Sequence, residues 1–398
     1  MFRATPRHNI NLTASELRLV VDGAFGRVKS DDGRQQFETE AQRFFGVAHA
    51  IAVESGRAAL HMALAGLRLP AGAQIVLPRY CFFSLVKVIE GMGYRPRFAP
   101  IDPQSFALDP GRLAAHTDGA DAVIVIHPFG QLADMAGLQA VCAARGLPLI
   151  EDASQATGAR WGRHRAGAIG DVGVFSLVSG KNLQTFGGGL LLTQHDHIAR
   201  TIRGHLSSAV PMDTSAVQSA LRSGLQRWFV TTPLGHKALM HPLSLTLATF
   251  APAKLEALTH EAQHPYDPTR LPRLLSDTQG ALGCMELAEL DRRNAARRSN
   301  ALRMLAGLKG LHGIHLPQFD PTAENSFNAV AIRTVWAPEL ASRLRRAGFD
   351  TRSDYMEWFG EGQDFEQPVI YLPNHPAMCD ADIDRLVKEV RCALSGWA

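Results

Sequence analysis

Short apolar runs separated by amphipathic stretches set the pattern of the first two hundred residues. Runs at 50–53, 74–78, 97–101, 123–127, 147–150, 172–177 and 190–192 are too short for helices and predict buried strands. Between them, 36–47, 55–67, 109–115 and 134–145 read as helices. An N-terminal arm precedes a short helix over 16–24, with Thr13 or Ser15 as its cap. Strand and helix alternate through 50–150, the signature of a parallel sheet covered by helices on both faces, and right-handed crossovers leave little choice of topology. Beyond residue 275 a long helix over 278–308 repeats apolar positions at Leu282, Met285, Leu287 and Leu290, with Asp277 near its start suiting the dipole. A strand over 329–334, a helix over 338–347 and a closing helix over 380–394 then predict a small α+β domain. The expected division is a large domain, 1–275, and a small one, 276–398, that includes the linking helix.

Composition narrows the class. The 398 residues are 46% hydrophobic and 20% charged, an ordinary globular balance with room for a large core. A formal net charge of +3 is too small to argue for nucleic acid, and the arginines clustered over 292–298 read as a solvated helix face. Five scattered cysteines without a CxxC pair fit reduced thiols better than a disulfide framework or a metal site. No run has signal-peptide or transmembrane character, so a soluble, cytoplasmic protein is expected.

The chemistry gathers over 149–193. One strand delivers Glu151 and Asp152 to its carboxyl end, and the next delivers Ser176 and then Lys181 before Gly187, Gly188 and Gly189. Open α/β sheets place their ligands at strand carboxyl ends. An acid and a lysine arriving there suit pyridoxal phosphate (PLP): the lysine bonds the cofactor aldehyde and the carboxylate keeps the pyridine nitrogen protonated. Each residue alone has a plainer reading. The lysine reads equally as a solvated loop residue or a phosphate ligand, although Gly180-Lys181-Asn182 lacks the Walker spacing, and the acid reads equally as a helix cap. Ser55-Gly56-Arg57 opens a helix whose free N–H groups suit an anion, with the Arg57 guanidinium able to add a charge-assisted contact; the plain alternative is a capping turn.

With those motifs in place the sequence resembles the DegT/DnrJ/EryC1/StrS sugar aminotransferases of PLP fold type I. The resemblance is carried by Glu151-Asp152-Ala153-Ser154-Gln155-Ala156-Thr157-Gly158, by Gly170-Asp171-Val172-Gly173-Val174-Phe175-Ser176 and by Lys181-Asn182-Leu183. It spans roughly 37–203 and returns over 276–293. It implies a mostly parallel sheet sandwiched by helices, the small C-terminal domain, and a homodimer. Lys181 and Asp152 are the implied catalytic residues. Lys181 would hold PLP as a Schiff base and act as general base, moving a proton from the donor's α-carbon to the cofactor. The implied cofactor site is Gly56, Arg57, Phe82 stacked on the ring, Asp152, Gln155 near the phenolic oxygen, Ser176 on the phosphate, and Lys181. Tyr80 and Phe83 compete with Phe82 for the stacking role. His127 leads a loop near the implied site, and Arg333, Tyr355 and Asn328 are further candidates for the substrate cleft.

The resemblance implies transfer of an amino group from an amino acid, L-glutamate, to a keto acceptor, a nucleotide-linked sugar. The chain also departs from the family. An unusual stretch over 204–275 holds Trp228, Phe229, Leu239 and Phe250, read as extra packed helices, a dimer face, or a lid for a bulky apolar or carrier-bound substrate. The family's Asn that touches the neighbouring subunit's cofactor phosphate is absent from Pro272-Arg273-Leu274-Leu275, leaving Arg57 or Arg273 to replace it. A non-catalytic scaffold or regulator is the rival of another class.

Overall fold

A computed structural model describes residues 4–28, 31–251, 267, 270, 272–353 and 356–396. Its central sheet has seven strands: β1 (His49–Val53), β2 (Gln74–Pro78), β4 (Arg95–Ala99), β5 (Ala122–Ile126), β6 (Leu149–Asp152), β9 (Val172–Ser176) and β10 (Gly189–Thr193). Their order is β1-β10-β9-β6-β5-β2-β4. All pairs from β4 to β9 are parallel, and β10 runs antiparallel between β9 and β1. The mostly parallel α/β sheet is therefore as expected, while the reversal of β10 is new. A strand buried on both faces reads as a continuous apolar run, which carries no mark of direction.

Helices cover both faces. They are α1 (Ala14–Ala24), α2 (Gly33–Phe45), α3 (Gly56–Gly66), α4 (Phe83–Gly91), α5 (Pro110–Leu113), α6 (Met135–Arg145) and α7 (Asp196–His205). Alternate strand residues supply the two cores. Leu191 and Ile150 join Leu60 and Leu64 of α3 on one face. Leu190, Leu192 and Phe175 join Phe37 and Phe45 of α2 on the other. Thr13, not Ser15, caps α1: its Oγ1 accepts from Glu16 N at 3.2 Å, and Glu16 Oε2 accepts from Thr13 N at 2.6 Å, a reciprocal capping box.

Within the 204–275 insert lies α8 (Thr214–Thr231), whose Val217 and Leu221 pack with Val20 and Ala24 of α1. The insert continues through α9 (Pro233–Gly235) to α10 (His241–Phe250), leaving Phe229, Leu234, Leu239, Leu243 and Phe250 exposed.

The long helix α11 (Asp277–Leu308) is capped by Ser276, whose Oγ accepts from Gln279 N at 3.3 Å. It starts at the domain boundary placed at residue 276, but its first half still packs into the large domain. Leu287 and Leu290 pack with Phe37 in the large-domain core, whereas Ala301, Met304 and Leu308 belong to the small-domain core. The solvated arginine face is also corrected. Arg292 and Arg298 face outward, but Arg293 is buried between Glu16 and Glu286, and Arg297 is 8% exposed. Helical spacing alone gives a side chain's direction only once the helix's neighbours are known, and α2 and α1 lie against this face.

The small domain carries an antiparallel sheet of β11 (Val330–Arg333), β14 (Val369–Leu372) and β12 (Arg352–Ser353), covered by α12 (Ala337–Arg346) and α13 (Asp380–Leu394). It is stitched to the large domain where β13 (Glu357–Trp358) pairs with β3 (Tyr80–Cys81), and where the Tyr80 and Tyr371 hydroxyls meet at 3.0 Å. A short hairpin, β7 (Arg160–Trp161) and β8 (His164–Arg165), completes the strands. Among the described residues no helix is long and apolar enough to cross a membrane.

Candidate active site

The carboxyl ends of β6 and β9 meet the start of α3. Asp152 closes β6 at 7% exposure, and its Oδ1 accepts from Ser154 N at 3.0 Å. Ser154 Oγ in turn accepts from Ser176 N at 2.9 Å, tying the end of β6 to the end of β9. Ser55 caps α3, its Oγ accepting from Ala58 N at 3.1 Å. Gly56 packs directly on Ser176: a Cβ there would stand 2.8 Å from the Ser176 Cβ. Only glycine lets the helix N-terminus, with its dipole and N–H groups, come this close to the serine hydroxyl.

Lys181 is buried, at 9% exposure, and its Nζ stands 5.4 Å from the centroid of the Phe82 ring. Its loop is fixed by amides from distant segments. Asn328 Nδ2 donates to Gly180 O at 3.1 Å and to Asn182 Oδ1 at 3.0 Å, and Asn182 Nδ2 donates to Asn294 Oδ1 at 3.1 Å. Gly180, at φ +89°, donates from its N–H to Gln184 Oε1 at 3.2 Å. Asn328→Ala strips both acceptors of their donor in a buried setting. It is expected to cost about 1–3 kcal/mol, read as a lowered melting temperature, and to lower kcat more than it raises KM because the lysine loses its support.

The structure sorts the stacking candidates. Phe82 lies beside Lys181, Tyr80 packs against Trp358 and Phe365, and the Phe83 ring lies under Lys87. Gln155 is buried, and its Oε1 accepts from Phe129 N at 2.8 Å. Arg57 is the second residue of α3 and half-buried. Arg273 is ion-paired with Asp213.

Two substrate candidates are held by partners of their own. His127 is fully buried with both ring nitrogens engaged. Nδ1 accepts from Ala133 N at 3.1 Å, so Nε2 carries the proton and donates to Glu151 Oε2 at 2.9 Å. Glu151 also accepts from the backbone of Gly167, Ile169 and Gly170. That histidine positions strand ends and offers no atom to a substrate. Arg333 stacks on Phe365, 4.8 Å from its centroid, and donates to Gln367 Oε1 at 3.2 Å. Burial lowers its pKa, with Asp102 opposing. Its described contacts lie in the aromatic cluster between domains rather than on the Lys181 loop. Tyr355 lies outside the described residues. Sequence reasoning missed Ser154, Asn182 and Asn294 as supports: the partner of Ser154 lies on β9 and that of Asn182 is 112 positions away, and local sequence marks neither pairing.

These residues fit PLP on two observations of the chain itself. Gln155 Nε2 is buried with no hydrogen-bond partner among the described residues, a donor lacking an acceptor. The other is the close seat of Gly56 on Ser176, a cradle that a Cβ would fill.

Comparison with known proteins gives the family of the chain. The sequence model of the DegT/DnrJ/EryC1/StrS aminotransferase family matches residues 16–264 and 272–391. The dTDP-3-amino-3,4,6-trideoxy-alpha-D-glucose transaminase of Streptomyces venezuelae is 29% identical over 361 residues, 88% of this chain and 81% of that protein. The L-glutamine:2-deoxy-scyllo-inosose aminotransferase of Streptoalloteichus tenebrarius is 30% identical over 298 residues, 74% of this chain and 61% of that protein. Among solved structures, S. venezuelae DesV in complex with a ketimine intermediate superposes with a TM-score of 0.73 at 25% identity, covering 98% of this chain and 99% of that one.

Proposed function

This chain belongs to the DegT/DnrJ/EryC1/StrS aminotransferase family, and on that premise we propose that it transfers an amino group from L-glutamate to the keto group of a nucleotide-linked sugar, using PLP. The observation that carries the reading is the convergence of Asp152, Ser176, Gln155 and Phe82 with Lys181 at the carboxyl ends of β6 and β9. Ser176 and the N-terminus of α3, with Arg57, would hold the cofactor phosphate. Gln155 Nε2 would donate to its phenolic oxygen, and Phe82 would lie on its ring. Bound there, PLP supplies a sink for the electron pair released when the donor's Cα–H bond breaks. Lys181 Nζ would take that proton from the donor's α-carbon and return it on the far side of the new carbon–nitrogen bond, acting as general base and then as general acid. Asp152 keeps a proton on the pyridine nitrogen, and the ring of Phe82 keeps water from one side. In the second half of the cycle the same lysine runs the transfer in reverse on the keto acceptor.

Asp152→Asn keeps the acceptor for Ser154 N but loses the charge. The half-reaction with L-glutamate is expected to slow by about 10²–10⁴-fold, measured by stopped-flow absorbance, with the fold intact by circular dichroism. For the overall reaction the test is incubation with L-glutamate and a panel of nucleotide-linked keto sugars. An aminated sugar formed one-for-one with 2-oxoglutarate supports the assignment. Turnover with L-glutamine alone would move the donor to the amide amino acid that names one relative. The apolar side chains exposed on the insert favour one other reading, a bulky apolar or carrier-bound acceptor. Activity that depends on lipid or detergent would select it.

A further inference from the structure

The loop of Lys181 is met on one side by the N-terminal arm, and the arm brings cations. Thr5 is held by the small domain: its N–H donates to Gly348 O at 2.7 Å and its carbonyl accepts from Asp350 N at 3.0 Å. Arg7 N donates to Asp350 Oδ2 at 3.3 Å. Further along, Asn9 Nδ2 donates to Thr231 O at 2.6 Å and Ile10 N to Thr231 Oγ1 at 3.3 Å, at the end of α8. The arm is thus tied at one end to the small domain and at the other to the insert, with His8 between. The His8 ring comes within 3.6 Å of where a side chain would begin on Gly180, the residue before Lys181.

Among the described residues, the cationic side chains of Arg7 and Arg297 there lack carboxylate partners at their charged ends. Arg7 Nε and Nη1 are buried with no hydrogen-bond partner among the described residues. Arg297 is 8% exposed and donates from Nη1 to a neutral acceptor, Asn294 Oδ1, at 3.1 Å. Burial brings its guanidinium down to about 10, with Glu286 opposing and Arg293 reinforcing. Burial, then the positive charges of Arg7, Lys181, His375 and Arg297, hold His8 well below the usual imidazole value. Glu286 is already engaged by Arg293, 2.8 Å away. Cations taken out of water without a counter-charge are costly unless an anion joins them.

We propose that Arg7, His8 and Arg297 form the subsite that takes the carboxylate of the amino donor and so presents its amino group at Lys181. The assignment rests on the amino-transfer reading above. A carboxylate suits the site better than the other anions of that reaction. The cofactor phosphate has the start of α3 and Ser176. A nucleoside diphosphate needs an open path for its nucleoside, whereas Arg297 is almost wholly enclosed. The insert also gains a role, since the end of α8 anchors the arm that carries two of the three residues.

The test uses succinate, a dicarboxylate with no amino group to react, titrated calorimetrically into the PLP-loaded protein and into the cofactor-free chain. Arg7→Met is expected to weaken succinate by about 10- to 100-fold, the scale of a lost charge-assisted hydrogen bond, and to raise KM for L-glutamate by a similar factor with a smaller change in kcat. Arg297→Lys keeps the charge without the planar fork and is expected to weaken succinate less. Unchanged succinate affinity in both folded variants overturns the proposal. Pyrophosphate binding that is lost in Arg7→Met but not competed by succinate overturns it in favour of a diphosphate. A wild-type protein that takes up no PLP overturns the amino-transfer reading instead, and the cofactor-free titration still decides the subsite.

Discussion

Lys181→Ala is expected to lower amino transfer by at least about 10³-fold while leaving the fold in place. The lysine contributes both as the anchor for the cofactor aldehyde and as the proton carrier, and general acid–base catalysis alone accounts for about 10²–10⁴-fold. Its loop does not depend on the side chain for shape. Asn328 and Gln184 hold the backbone of Gly180 before the lysine, and Asn328 holds the side chain of Asn182 after it. The melting temperature should therefore change far less than the activity. Added ethylamine should restore part of the lost rate, because the missing group is an amine of suitable reach. Failure of rescue together with a large loss of thermal stability would assign Lys181 a structural role and contradict the mechanism.

The largest effect on stability is expected from Arg293→Met. Arg293 is buried on α11, with Nη2 donating to Glu16 Oε2 at 2.7 Å and Nη1 lying 2.8 Å from Glu286 Oε1. Its removal leaves two carboxylates enclosed without their cation. Breaking a buried pair in this way costs about 3–5 kcal/mol, a large part of the roughly 5–15 kcal/mol by which folded proteins are stable. The loss should depend on pH. Burial pushes Glu286 up to about 7, against Arg293, which pulls it down, and with Glu16 raising it further. A carboxyl whose native pKa exceeds its unfolded one binds more protons in the native state between the two values, so stability falls as pH rises through that window. Losing Arg293 raises Glu286 further and widens the window. The variant should thus be closer to wild type near pH 5 than near pH 8, as measured by urea unfolding at each pH. A pH-independent difference would contradict the buried-charge account.

Much of the large domain was legible because its strands are apolar runs between helices with ordinary signals. The acid at the end of β6 and the lysine after β9 were legible for the same reason, since strand ends fix where the following residues emerge. The direction of β10 was hidden by burial on both faces. The supports of the lysine were hidden differently: Asn182, Asn294 and Asn328 are neutral polar residues whose partners come from separate segments, and local sequence gives no sign of their meeting. His127 looked available because it follows a strand aimed at the site, but Glu151 and the Ala133 N–H take both its nitrogens. Arg293 and Arg297 looked solvated because charge was weighed before packing. Arg7 and His8 read as part of an unremarked arm, and only their anchoring to Asp350 and Thr231 brings them to the lysine loop.

The central claim is that Lys181 and Asp152 make this chain a PLP-dependent aminotransferase. Its most direct test is the visible absorbance of the purified, PLP-loaded protein before and after L-glutamate, with Lys181→Ala beside it. The account predicts a band in wild type that L-glutamate converts to the pyridoxamine form, and no conversion in the variant. Absence of the band after adding PLP, or equal conversion in both proteins, would contradict it.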